Sequence, residues 1–292
     1  MKVTNIFKDK KFIECFKKRT FDNKGNYIKI FDEKDEIIEE NINKVTYINC
    51  SEYWITNIKG ISIFRNLKSI DLIYNQIEKL PSEISKLQNL EELFLSYNKI
   101  KKLPSEIGKL KNLKELDLSY NKIKKLPKEI KKLKELEKLN LAYNQINKLS
   151  QKICELINLK ELYLFANKIK KLPKEIWRLK NLEVLDLENN ELQYLPCEIG
   201  KLQNLEKLDL NNNKLQWLPK EILGLSKLKW IWLNNAFDLD NLKQDPEELR
   251  DILKKLEEKI ALSDDDFDYL EKKVYPILEE KTKEEKIKKD IK

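Results

Sequence analysis

Leu113 to Glu135 reads LKELDLSYNKIKKLPKEIKKLKE, and this stretch is the unit that the rest of the chain repeats. Its skeleton is L-x-x-L-x-L-x-x-N-x-I-x-x-L-P-x-E-I-x-x-L. Shifted by 23 residues, the frame fits again in both directions, and the asparagine alone recurs at Asn75, Asn98, Asn121, Asn144, Asn167, Asn190 and Asn213. Self-similarity at a fixed period of this size marks a solenoid, in which each unit packs only against its neighbours.

Within the unit, Leu113, Leu116 and Leu118 fit a short strand. Side chains alternate along a strand, so Leu116 and Leu118 share the core face while Glu115, Asp117 and Ser119 share the other. Asn121 ends the strand, and its amide can donate and accept where turn backbone would otherwise be buried unpaired. Ile123 and Leu126 return to the core. Pro127 opens a short helical segment, where a missing N–H costs nothing. Glu129 faces the free N–H groups of that segment, and Ile130 and Leu133 form its apolar stripe. One unit cannot offset the backbone entropy of its own ordering, so stacked units share a core. Strands stack at about 4.8 Å and helical segments need nearer 10 Å, which curves the array with the strands on the concave side. The expected fold class is therefore α/β: a curved, right-handed β-α superhelix with a parallel concave sheet and short convex helices.

The division that follows is a small N-terminal cap over 1–44, the array over 45–235, and a C-terminal helical cap with a charged tail over 236–292. In the cap, Ile6, Phe7, Phe12, Ile13 and Phe16 make a loosely helical pattern after Thr4, and Asn23 to Asn26 is a turn. Asp32 to Ile42 reads as helix. The first repeat, 45–66, is degenerate, with Tyr53 in place of the asparagine. Seven full repeats fill 67–227, and a terminal strand fills 228–235, where Ala236 stands at the asparagine position. The fourth full repeat has Ser150 for Pro and Lys152 for Glu, so its convex segment is expected to be locally altered. After the array, Asp245-Pro246-Glu247-Glu248 starts a helix and Ser263 a second, which Pro276 should kink or end. The tail 281–292 is nearly all charged and is expected to fray.

The two halves of the unit resemble the 23-residue leucine-rich repeats of Ras-group and bacterial proteins, over about 45–235. The resemblance implies an intracellular or bacterial scaffold for protein interactions. It carries over no catalytic residue. Bacterial ubiquitin-ligase effectors also carry such repeats, but they add a large catalytic domain with a nucleophilic cysteine, and no cysteine follows the array here.

The composition agrees. There is no histidine, which removes His-based triads, dyads and metal ligands, and the five glycines form no phosphate-cradling motif. The acidic runs at 238–245 and 264–268 lack the glycine and the twelfth-position glutamate of a calcium loop, so they are read as solvated or capping acids. No catalytic residue, metal, cofactor or small-molecule substrate is expected. The four cysteines, Cys15, Cys50, Cys154 and Cys197, form no clustered pairs and are read as reduced thiols. No leader or membrane span is visible, which gives a cytoplasmic location unless export is leaderless.

Formal charge is +8, and it is divided unevenly. Residues 67–235 hold 32 basic and 22 acidic side chains, while 236–292 hold 13 and 18. Lysine columns at Lys101, Lys102, Lys124, Lys125, Lys170 and Lys171 are read as a solvated face. The alternative is a basic surface for nucleic acid or anionic membrane, against which only four arginines stand. The concave columns say more. Phe94, Tyr163, Phe165, Trp230 and Trp232 break an otherwise polar face, as interface anchors do. For Trp230 and Trp232 the alternative reading is cover by the C-terminal helices. Tyr74, Tyr97, Tyr120 and Tyr143 form a column read as self-stacking. The function expected is a monomeric, non-catalytic scaffold binding a protein on its concave face.

Overall fold

The computed structural model describes residues 6–260 and 262–290. The chain forms two compact units, Met1–Ile146 with Lys152–Leu159, and Asn147–Gln151 with Lys160–Lys292. In the first, β1 (Thr20–Phe21) lies antiparallel to β2 (Tyr47–Asn49). Strands β3 (Ser69–Asp71), β4 (Glu92–Phe94), β5 (Glu115–Asp117) and β6 (Lys138–Asn140) follow in parallel order. In the second, β7 (Glu161–Tyr163), β8 (Val184–Asp186), β9 (Lys207–Asp209) and β10 (Trp230–Trp232) are again parallel. The pairing advances by one repeat per strand, Ser69 opposite Glu92 and Glu92 opposite Glu115. The fold class is an α/β solenoid.

Each strand is short because the chain leaves it by a left-handed step. Tyr74, Tyr97, Tyr120 and Tyr143 have φ between 51 and 55°. Ala166, Asn189, Asn212 and Asn235 occupy the same step in the second unit. The central strand leucines, Leu93, Leu116, Leu139, Leu162, Leu185 and Leu208, are fully buried. The return path is a single 3-10 turn such as Lys128–Lys132, preceded by Pro127 at φ −66° and ψ 151°. The proline thus sits in extended backbone just before the turn, not inside it as the motif suggested. Leu126 is only half-buried. The Gln151–Glu155 segment keeps the same 3-10 form despite losing Pro and Glu, because Ile153 and Leu156 still fill the core. Lys152 there pairs with Glu155 at 2.9 Å.

At the N-terminus, α1 (Lys10–Phe16) is capped by Asp9, whose Oδ1 accepts from Lys11 N. Thr4, the cap expected from sequence, lies outside the described residues. The other oxygen of Asp9 accepts from Thr56 N and Thr56 Oγ1, both at 2.7 Å, and so ties the cap to the first repeat. Phe7, Phe12, Phe16 and Phe64 join cap and array in one aromatic cluster. The turn at Asn23 to Asn26 forms, with Asp22 accepting from Lys24 N and Asn26 N. Asp32 does the same for Lys34 N and Glu36 N. That second turn corrects the expectation of a helix over Asp32 to Ile42: only α2 (Glu39–Ile42) is helical.

The cysteine expectation is also corrected. Cys15 on α1 and Cys50 after β2 form a disulfide with Cα atoms 5.6 Å apart. Cap packing brings together two cysteines 35 residues apart, which spacing could not show. Cys154 and Cys197 lie outside this disulfide, the first of them buried.

The C-terminal helices are α3 (Pro246–Lys259), α4 (Asp264–Tyr269) and α5 (Tyr275–Asp290). Asp245 caps α3, and Leu249, Ile252, Leu253 and Leu256 bury its apolar stripe. Pro276 does not end the helix, which carries on to Asp290. A π-helical turn, Leu270–Val274, precedes it and absorbs the missing hydrogen bond and the ring. The tail does not fray where it is described: α5 runs to Asp290, and Lys286 pairs with Glu247 at 2.9 Å.

Candidate functional site

Strand residues flanking the buried central leucine point away from the core. In the second unit this outward face has a defined pattern. Register places Tyr163, Asp186, Asp209 and Trp232 side by side on β7, β8, β9 and β10. All four are half-buried. The Tyr163 hydroxyl donates to Glu161 at 2.9 Å. Two residues further along, Phe165, Glu188, Asn211 and Asn234 form the next row, also half-buried. Two residues earlier, Lys207 lies beside Trp230, its Nζ 5.1 Å from the ring centroid. Trp230 is 42% exposed and Trp232 half-buried, so the C-terminal helices leave both accessible. Phe94, in the first unit, is half-buried on β4.

The acids in this face are unusual. Asp186 Oδ1 accepts from Glu188 N at 3.1 Å and Asp209 Oδ1 from Asn211 N at 2.9 Å. Those bonds favour the charged form, but burial wins. Burial, with Glu188 adding to it, pushes the Asp186 carboxyl up to about 6. Burial, then Asp186, Glu188 and Asp266, push Asp209 up to about 7. Carboxylate oxygens of Asp186, Glu188 and Asp209 lie within 4.8 Å of one another, close enough to share one cation. Asp186 and Asp209 hold the same strand position in successive repeats, and the register sets them side by side. Asp266 belongs to the acidic run read from the sequence as solvated or capping. This residue is fully buried and not solvated, accepting from Leu233 N at 2.6 Å.

The asparagine column is built into the backbone. Asn121 Oδ1 accepts from Ile100 N at 2.8 Å, and its Nδ2 donates to Leu95 O, Leu118 O and Ser119 O. Asn75, Asn98, Asn144, Asn190 and Asn213 do the same in their own repeats. Asn167 donates to Leu164 O and Phe165 O. A second amide column escaped the sequence reading. Asn66, Asn89, Asn112, Asn158 and Asn204 each donate to a backbone carbonyl one repeat earlier. Its signal was the asparagine before the first strand leucine in most repeats.

The tyrosine column stacks on itself, with centroids 4.1, 3.9 and 4.0 Å apart from Tyr74 through Tyr97 and Tyr120 to Tyr143. Lys101, Lys102, Lys124, Lys125, Lys170 and Lys171 are all exposed. Lys101 reaches Glu78 and Lys170 reaches Glu191, each at 3.8 Å. Continuing the last column, Tyr194 and Trp217 pair side by side, each 40% exposed.

Family models agree with this geometry. A model described as leucine-rich repeat region matches residues 44–140 and 106–191, and one for two copies of leucine rich repeats matches 180–220. The chain belongs to the leucine-rich repeat family. A leucine-rich repeat protein of Leptospira interrogans is similar at 34% identity and TM-score 0.56, over 76% of this chain and 62% of that one. The chain thus spans about six tenths of that relative's length. The ectodomain of the plant receptor kinase GASSHO1/SCHENGEN3 from Arabidopsis thaliana, in complex with Casparian strip integrity factor 2, is similar at 34% identity and TM-score 0.56. It covers 62% of this chain and 23% of its own. Internalin C2 of Listeria monocytogenes shares the fold at 24% identity and TM-score 0.64, over 77% of this chain and 93% of its own. No curated protein matches the chain. Neighbours with this fold commonly mediate protein–protein interactions, and the family is generally a non-catalytic scaffold. Among the described residues, no helix is long and apolar enough to cross a membrane.

Proposed function

We propose that this chain is a non-catalytic scaffold that binds a partner protein on the concave face of its sheet. Tyr163 and Phe165 are the central contacts, with Phe94, Trp230 and Trp232 adding to them. The observation that carries the reading is the run of accessible aromatic side chains at outward strand positions, where water favours polar residues. The plant receptor ectodomain, held in a complex with an integrity factor, is a precedent for partner binding on such repeats. We keep 1–44 and 236–292 as caps and the chain as a monomer. Location belongs to the same reading. The cytoplasm expected from the sequence suits reduced thiols, whereas the Cys15–Cys50 disulfide favours an oxidising compartment.

The test is capture of partners by the intact protein, followed by calorimetry with two double variants. Tyr163→Ala with Phe165→Ala should weaken binding by about 2–4 kcal/mol if these are hot spots. Lys124→Ala with Lys125→Ala should change it far less. The reverse result, together with a steep loss of affinity in salt, would replace this reading by a basic surface for nucleic acid or anionic membrane.

A further inference from the structure

The row Tyr163, Asp186, Asp209, Trp232 runs straight across four parallel strands. It has an aromatic ring at each end and two carboxyls in the middle. Strands stack about 4.8 Å apart, so the two rings stand roughly 14 Å apart with the acids centred between them. An extended peptide rises about 3.4 Å per residue and turns alternate side chains to one face. Its first and fifth side chains therefore span the same roughly 14 Å, and its third falls over the midpoint.

We propose, building on the concave-face reading above, that β7–β10 seats an extended segment of a partner protein that crosses the strands. One apolar side chain packs on Tyr163, a lysine or arginine reaches between Asp186 and Asp209, and a second apolar side chain packs on Trp232. Charge complementarity fixes the middle residue. Glu188 stands beside Asp186 on its own strand, and its carboxylate lies within the same 4.8 Å group. Arginine fits best, because its planar fork can meet two carboxylates at once. Lys207, over the Trp230 ring, bars a second cation on that side of the row.

The column shows that its hydrogen bonds do not require these charges. Asn140 occupies the same strand position on β6 and accepts from Ala142 N at 3.1 Å, as Asp186 and Asp209 do from their own turns. An uncharged amide serves the turn, so the acids are left for a ligand.

The seat is sensitive to pH. The charged groups around the row are Glu161 on β7, bonded to Tyr163, Glu188 after β8, Lys207 on β9 over the Trp230 ring, and Asp266 on α4, which with Glu188 acts on Asp209. With Asp186 at about 6 and Asp209 at about 7, the pair is largely ionised only above neutrality. A docked cation displaces their protons, so its affinity falls as the medium becomes acidic.

The test uses a displayed library of random linear nine-residue peptides, selected at about pH 7.5 on the wild-type protein and counter-selected on Tyr163→Ala/Phe165→Ala. The expected winners carry apolar-x-basic-x-apolar. The best of them should lose about tenfold in affinity at about pH 5.5, and about tenfold when its basic residue becomes glutamate. Asp186→Asn/Asp209→Asn should abolish both differences. Winners that depend on Tyr163 and Phe165 but carry no central basic residue would overturn this proposal and leave the concave-face reading standing. Winners indifferent to those aromatics, or no winners, would sink both.

Discussion

Replacing Asp209 by asparagine should stabilise the protein, and only where the carboxyl would be charged. The side chain is half-buried and sits among Asp186, Glu188 and Asp266, which with burial raise it to about 7. Moving a carboxyl that far from its ordinary range corresponds to at most about 4 kcal/mol. Solvent reaches the group and screens it, so about 1–2 kcal/mol is the working figure. The folded protein holds this proton more tightly than the unfolded chain does. The penalty is therefore absent below the ordinary carboxylate range, grows as pH rises from about 4, and is complete above about 7. Asparagine keeps the acceptor for Asn211 N, whose bond is 2.9 Å, and removes the charge. Thermal melts followed by circular dichroism should show Asp209→Asn a few degrees above wild type at about pH 8 and level with it at about pH 4. A variant that melts below wild type at the higher pH, or differs equally at both, would refute the assignment of a charged, desolvated pair.

Two further outcomes follow from the packing. Asn121→Leu strands the buried Ile100 N–H and Leu95 carbonyl and should cost about 2–5 kcal/mol, against nearly nothing for exposed Lys122→Ala; equal melting temperatures would contradict the role of the amide. Deleting 237–292 removes Gln244 from Leu218 N and O, Asp266 from Leu233 N, and the buried stripe of α3, so the shortened chain should aggregate. A soluble, cooperatively melting monomer would show that these helices are not a cap.

The repeats were legible because their signal is local and repeated. Leucine spacing states which face is buried, and seven copies of one asparagine announce one backbone environment. The ends were less legible because contacts there occur once. Nothing local in Cys15 or Cys50 points to the other, and the turn at Asp32 looks, in composition, like a charged helix start. Pro276 misled for a related reason: proline breaks an α-helix, but a π turn ahead of it leaves room for the ring.

The candidate site falls between these cases, and the difference bears on how repeat surfaces are read. Tyr163 and Phe165 were visible as apolar letters in a polar column. The pairing of Asp186 with Asp209 was not, because an aspartate at that position is also the ordinary way to close the strand end, as Asp71 and Asp117 do for Ile73 and Ser119. What separates the two roles is the neighbour across the sheet. Between Ser69–Asp71 and Glu115–Asp117 stands a strand carrying Phe94, so Asp71 and Asp117 are kept a strand apart. Asp186 and Asp209 are adjacent, and their mutual repulsion adds to the cost of burial. A solenoid core fixes which residues face outward but leaves the choice at each rung open. A costly choice at two successive rungs, flanked by two aromatic ones, is therefore where binding should be sought first.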